Sequence, residues 1–551
     1  MSGEWLASVS LSTPQPILKF ERGHSRGGVT TEPTLRNPGA ATIVGEVRFY
    51  ANATKRTLIC ERPETGLGAL FWRRCDDELL LSGSPALLAK AGRTDAKVDP
   101  VILADQLRGH WPSSSETLFE GIYRVPPGHR LVVSPSSLEV VRYWYPHGPQ
   151  AALEDFDGRL EGTVSRMVGP SRPGILLSGG LDSVSVAVAL AKVTSAKPLA
   201  LSMTFTGSSI DEGEIQRAVV RQLGFDLEIE DISQLVSSKG LLFDSVELSA
   251  RYPLPLQNVW MPAFTELIRR AKARGVDVIL TGHGGDEWLT VSPLYAADLI
   301  SCFQFRALRD FVAHAHNSYS VHPRSASRNL LWTYGLRTVL ARIGRQFARV
   351  WAPASLRRRH QARWRSATPA WISSDSSLRD ALDERVWVAS DPQPWSGFYA
   401  QAMDDSLVHP LASLDVEEYR ALGLDTGVNM GHPYFAVDIV KALYRTPPKA
   451  LYSGGMSKRP ARSYLAKRFP GLGFENQRKA FASDYFTRRV REQAHQVSAH
   501  LGGFEALGDL GVLDISALNL GDVQDSAAVP AWKAVSWWQL LSTESWLRAN
   551  V

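Results

Sequence analysis

The chain has 551 residues, 44% hydrophobic and 21% charged, and its 61 lysines and arginines against 56 aspartates and glutamates leave a net charge of +5. That length holds two to four domains of roughly 150 residues each, and the composition excludes a disordered or collagen-like chain. No run approaches the roughly 18 uncharged apolar residues of a membrane span, and a charge this close to balance does not by itself demand a nucleic-acid partner. The start, Met1-Ser2-Gly3-Glu4-Trp5, lacks the cationic and apolar stretches of a secretory signal. A cytoplasmic protein with no membrane partner is expected. Cys60, Cys75 and Cys302 form no CxxC pair, so neither a disulfide framework nor a structural zinc site is expected.

In chain order, residues 1–148 alternate short apolar runs with turns. Runs 41–49, 69–72 and 130–133 carry the β-branched and aromatic residues of strands, and the polar stretch 145–150 reads as a linker. From residue 149 the pattern becomes α/β. A helix over 160–167 leads to a strand over 174–177, a Gly-rich turn, an Ala/Val-rich helix over 184–192 and a strand over 199–205. The next helix starts near Ser209, with Glu212 completing a capping box, and stops at Gly224. A helix over 263–274 precedes a strand over 276–280, and from about Ser292 the chain reads as mostly helical. Strands alternating with helices imply a doubly wound parallel sheet, whose ligands gather at the carboxyl ends of its strands.

The sharpest motif is Leu177-Ser178-Gly179-Gly180-Leu181-Asp182-Ser183, between an apolar strand that includes Leu176 and an apolar helix. Two glycines let backbone N–H groups approach a ligand, the helix N-terminus adds partial positive charge, and Ser178 and Ser183 supply hydroxyl donors. Together these cradle phosphate. The Walker A lysine is missing; Asp182 offers a carboxylate suited to Mg2+. This segment resembles the SGGxDS pyrophosphate loop of the ATP-pyrophosphatases, which cleave ATP between the α and β phosphates and form an adenylated intermediate. Asparagine synthetases, β-lactam synthetases, lasso peptide cyclases and tRNA-modifying enzymes all share that loop.

A second motif, Thr281-Gly282-His283-Gly284-Gly285-Asp286-Glu287, follows a strand directly. It resembles the G-x-G-x-D-E loop of the asparagine-synthetase branch. The resemblance implies that Asp286 joins Asp182 in holding Mg2+, and that Leu176, Ser178, Gly179, Gly180, Asp182, Ser183, Met203 and Gly282 bind the nucleotide. Met203 stands at the second strand end, where the family holds adenine through backbone contacts. His283 sits where asparagine synthetases carry Glu and β-lactam synthetases carry Tyr, and is a candidate base for the attacking amine. An imidazole near 6.5 and an α-amine near 8 differ by about 1.5 units, so the transfer costs only about 2 kcal/mol.

Towards the C-terminus, Gly455-Met456-Ser457-Lys458-Arg459 and Gln477-Arg478-Lys479-Ala480-Phe481 resemble the two lysine-bearing segments of the same branch. There the first lysine, here Lys458, contacts the phosphates, and the second, here Lys479, stabilises charge during acyl transfer. The segment from Asp105 to His129 resembles the end of the glutaminase-type domain of asparagine synthetases. A working glutaminase carries Cys immediately after the initiator Met; Ser2 stands there, so glutamine hydrolysis is not expected. Asn429 and Gly431 replace the acid and the arginine of the typical Glu-Ala-Arg-Val-Pro-Phe pattern, which makes free aspartate an unexpected substrate.

The expected architecture is an N-terminal glutaminase-like (Ntn-type) β-rich domain, 1–148, and a doubly wound parallel-sheet ATP-pyrophosphatase domain with a helical C-terminal extension, 149–551. The expected activity is ATP- and Mg2+-dependent amide formation through an acyl-adenylate. Overall similarity to lasso peptide cyclases implies closure of an isopeptide bond between a peptide's N-terminal amine and an Asp or Glu side chain. The partners would be a precursor core peptide, a leader-binding protein and a leader peptidase. The alternatives are a small-molecule amide synthetase of the β-lactam or asparagine type and a tRNA-modifying enzyme. Nine arginines between Arg337 and Arg365, with no acid among them, would serve RNA phosphates or an acidic peptide.

Overall fold

The structure is a computed structural model that describes residues 4–10, 18–22, 31–32, 42–44, 46–52, 56–92, 94–208, 211–318, 327–389, 397–452, 456–478, 482–518 and 530–551.

The N-terminal strands alternate buried and partly exposed residues, as half-buried strands do. In Trp5–Ser10, for example, Trp5, Ala7 and Val9 face inward. The strands form two antiparallel sheets, one of six and one of five strands, that share a core including Trp5, Val9, Leu81, Phe49, Cys60 and Leu131. The single strand expected over 41–49 is a hairpin instead, Thr42–Val44 against Val47–Asn52. Glu46 turns the chain in the left-handed region at φ +71°.

Beyond it lies a five-stranded parallel sheet in the order Asp226–Asp231, Leu199–Thr204, Pro173–Leu176, Val278–Leu280, Asn429–Gly431. Successive side chains point to opposite faces. Ile175, Ala200 and Leu280 pack under the helices Phe156–Val168, Leu181–Val193 and Arg459–Arg468. Leu199, Leu201 and Ile279 pack against Met261–Ala273 and its neighbours. Apolar residues cover the Leu181–Val193 helix almost all round, and Val184, Val186, Val188 and Leu190 are fully buried, as a helix wedged in a core requires. The mixed α/β architecture with a helical C-terminal region matches the expectation.

The topology matters more than the layers. The chain leaves the central strand Pro173–Leu176 and winds outward through two more strands. It then crosses back and adds Val278–Leu280 on the other side. The crevice where the winding reverses opens at the carboxyl ends of those two adjacent strands. Both Gly-rich loops begin there.

Candidate active site

The first loop folds on its own hydroxyls. Ser178 and Ser183 Oγ lie 2.8 Å apart, the Ser178 N–H donates to Ser183 Oγ at 3.1 Å, and the Gly180 N–H donates to Ser178 Oγ at 3.2 Å. The Gly179 N–H donates to Glu212 Oε2 at 2.9 Å, so a phosphate oxygen would compete with that carboxylate for the donor. Glu212 was expected to cap its own helix together with Ser209, which lies outside the described residues. It stands instead at the N-cap position of Gly213–Leu223 without a side-chain cap bond and reaches across to the loop. Burial raises its pKa, opposed by the Gly179 hydrogen bond.

The second loop comes so close to the first that only glycine fits. A Cβ on Gly282 would sit 2.6 Å from the Ser183 backbone nitrogen, and one on Gly285 would sit 2.3 Å from Asp182 Cγ. That approach sets Asp286 beside Asp182. Lys458 completes the cluster from the N-cap of the Arg459–Arg468 helix, held in the left-handed region at φ +57°. Its Nζ lies 2.5 Å from Asp182 Oδ2 and 2.6 Å from Asp286 Oδ1. Burial works against the ammonium, but the two carboxylates outweigh it and hold the lysine pKa above its ordinary value. A cation thus already occupies the point where two carboxylates from separate loops converge. Among the described residues no cluster of three or more His, Cys, Asp or Glu forms a metal site. Two carboxylates suit Mg2+, which takes its remaining ligands from phosphate and water.

Leu176 ends the central strand opposite Leu201. Met203 lies near the end of the neighbouring strand, its carbonyl accepting from Gln216 Nε2 at 3.1 Å. His283 faces an aromatic wall. Its ring stacks on Phe435 at 5.0 Å and lies 5.6 Å from Tyr419 and 5.7 Å from His432. Its Nε2 is covered and has no hydrogen-bond partner among the described residues. Thr281 Oγ1 pins the loop, accepting the His283 N–H at 3.2 Å and lying 2.8 Å from His432 Nδ1. Burial, with a smaller contribution from His283, pushes His432 down to about 3, so that ring is neutral. Lys479 lies outside the described residues.

Sequence reasoning missed the residues that hold these segments together. Gln477 Nε2 donates to the Gly179 carbonyl at 2.8 Å. Arg462 donates to the carbonyls of Ser457, Phe474 and Gln477 at 2.6–2.8 Å, tying the Lys458 turn to the 477 segment. Neither contact has a local signal: Arg462 reaches from its helix to the segment at 474–477, and Gln477 reaches from that segment to the first loop.

The Asparagine synthase family model matches residues 155–548. Amidase chry2 of Gibberella zeae is 28% identical over 288 residues, covering 47% of this chain and 41% of that protein. Amidase chyE of Penicillium rubens is 28% identical over 287 residues, with the same coverage of each chain. The chain therefore spans less than half the length of these curated relatives.

Proposed function

We propose that this chain, which belongs to the asparagine synthase family, is an ATP-dependent ligase that joins a carboxylate to an amine. The observation that carries this reading is the convergence of Asp182, Asp286 and Lys458 at the reversal of the sheet. A carboxylate is a poor electrophile. Its oxygen attacks the α-phosphorus of ATP, the bond to the bridging oxygen breaks, and pyrophosphate leaves. The amine nitrogen then attacks the acyl carbon, and AMP departs.

In this reading Ser178, Gly180 and Ser183 line the phosphates, and Gly179 exchanges Glu212 for a phosphate oxygen. Met203 borders the adenine. Asp182 and Asp286 would hold Mg2+, which would supply positive charge to the departing pyrophosphate. Lys458, whose ammonium bridges the two carboxylates here, would turn to the phosphates when the metal takes its place, Lys479 steadies the acyl-transfer step, and His283 takes the proton of the amine.

The finer reading is macrolactam closure on a peptide, with the amine supplied by the substrate, as in lasso peptide cyclases. Free aspartate fits poorly, because Gly431, where asparagine synthetases carry an arginine, brings no charge for a second carboxylate. The second reading is an amide synthetase acting on a small molecule; the two similar proteins, both named amidases, share the amide-bond chemistry common to both readings.

Mass spectrometry separates the two. A leader-free core peptide from a precursor encoded near this gene, incubated with the chain, Mg2+ and ATP, should lose one water as AMP forms. An unchanged peptide, with AMP formed on a small carboxylate and amine pair, would move the substrate to a small molecule. ADP in place of AMP would contradict adenylation.

A further inference from the structure

Two consecutive helices, Arg337–Trp351 and Pro353–Ala367, contain no buried residue. The first is amphipathic with its apolar side outward. Leu336, Leu340, Ile343, Phe347 and Val350 recur at three- and four-residue spacing along one face, and Trp351 ends it. All are exposed, Phe347 by 64%, Val350 by 75% and Trp351 by 82%. The opposite face turns towards the protein: the Arg342 guanidinium lies 4.4 Å from the Phe398 ring centre and that of Arg349 lies 5.9 Å from Trp387. The preceding π-helical turn, Asn329–Leu336, buries Leu330 and Gly335 and extends the outward face with Leu331 and Trp332. From Leu331 to Trp351 this makes a ridge about 30 Å long at 1.5 Å per residue.

Charge identifies what covers the ridge. The nine arginines between Arg337 and Arg365 have no acid among them, and Arg337, Arg358, Arg359 and Arg363 are exposed. Arg357 and Arg365 turn back to Glu384 and Asp383. An occupant must offer apolar groups to the ridge and negative charge to the arginines beside it in sequence. A second copy of this chain would bring together two arginine-rich stretches with no acid among them, and like charges repel. Arginine beside Trp, Phe and Leu on a strongly two-sided helix is the pattern of a helix lying in a membrane interface. We propose that this ridge docks peripherally on an anionic phospholipid surface. No helix among the described residues is long and apolar enough to cross a membrane, so the contact is one of lying on the bilayer. The lack of a membrane span, on which the expectation of no membrane partner rested, does not bear on such a contact.

The test is co-sedimentation of the full chain with vesicles of phosphatidylcholine alone and with vesicles also containing phosphatidylglycerol. The chain should pellet with the anionic vesicles, less so as salt is raised. Phe347→Glu with Trp351→Glu should weaken that binding by about tenfold or more, with Mg-nucleotide binding unchanged. Two results would overturn the proposal: no pelleting on anionic vesicles, or equal pelleting of wild type and double variant. A dimer of the wild-type chain that the same substitutions dissociate, without vesicle binding, would overturn it in favour of a second copy.

Discussion

Lys458 adopts a backbone conformation that non-glycine residues rarely take, and the cluster it completes gives that conformation a purpose. Removing its ammonium leaves Asp182 and Asp286 facing each other without a cation. Lys458→Met should therefore lower AMP formation by about a hundredfold or more, measured as turnover at saturating ATP. The glycines are as restrictive. A methyl at Gly282 would press on backbone, so Gly282→Ala should weaken nucleotide binding while costing about 1–3 kcal/mol of stability. His283→Phe separates packing from proton transfer. It keeps a ring against Phe435 and removes both nitrogens, so nucleotide binding should survive while amide formation falls by about a hundredfold; unchanged amide formation would remove the base assignment. The two loops can be read from sequence because close approach demands glycine and each loop carries a carboxylate beside its glycines. Glu212, Gln477 and Arg462 cannot, because each makes a contact with a segment 15 to nearly 300 residues away.

The helix Pro410–Thr426 links the site to the rest of the molecule. Tyr419 borders His283. Glu418 is buried and accepts from the backbone N–H groups of Gln257 and, at 3.2 Å, of Asn258. Burial outweighs those bonds and pushes its carboxyl up to about 8. The folded protein therefore keeps this proton where the unfolded chain has lost it. The stability it contributes is intact below the ordinary carboxylate range and is lost as pH rises through about 8. Glu418→Gln carries no such dependence. Between about pH 5 and pH 8 its stability should fall less than that of the wild type, by at most about 5 kcal/mol, read as a smaller drop in melting temperature; parallel drops across that range would contradict it. Elements were legible where apolar content, length and the flanking turns agreed, as in the Leu181–Val193 helix. The edge strands Asp226–Asp231 and Asn429–Gly431 were not, the first because only Leu227 and Ile229 stand apolar among its four acids and the second because only pairing with Val278–Leu280 makes three residues a strand.

At the scale of the molecule, the N-terminal sheets meet the α/β region through Glu417. Arg62 donates to it at 3.3 Å and Arg124 at 2.9–3.0 Å. Arg62 is fully buried, and burial lowers its pKa to about 10 despite Glu417. Glu417→Ala would strand that charge and should destabilise the protein by about 3–5 kcal/mol, seen as an early melting transition; an unchanged transition would show the contact to be incidental. The fold class was legible from the change of period near residue 149, whereas the interface, built from residues some 300 positions apart, was not. The crevice where both loops meet can be tested without knowing the substrate. The measurement is calorimetric titration with α,β-methylene-ATP and Mg2+. The wild type should bind, and Asp286→Asn with unchanged melting should lose most of that affinity. No binding by the wild type, or equal binding by the variant, would contradict the assignment of this crevice to the pyrophosphate of ATP.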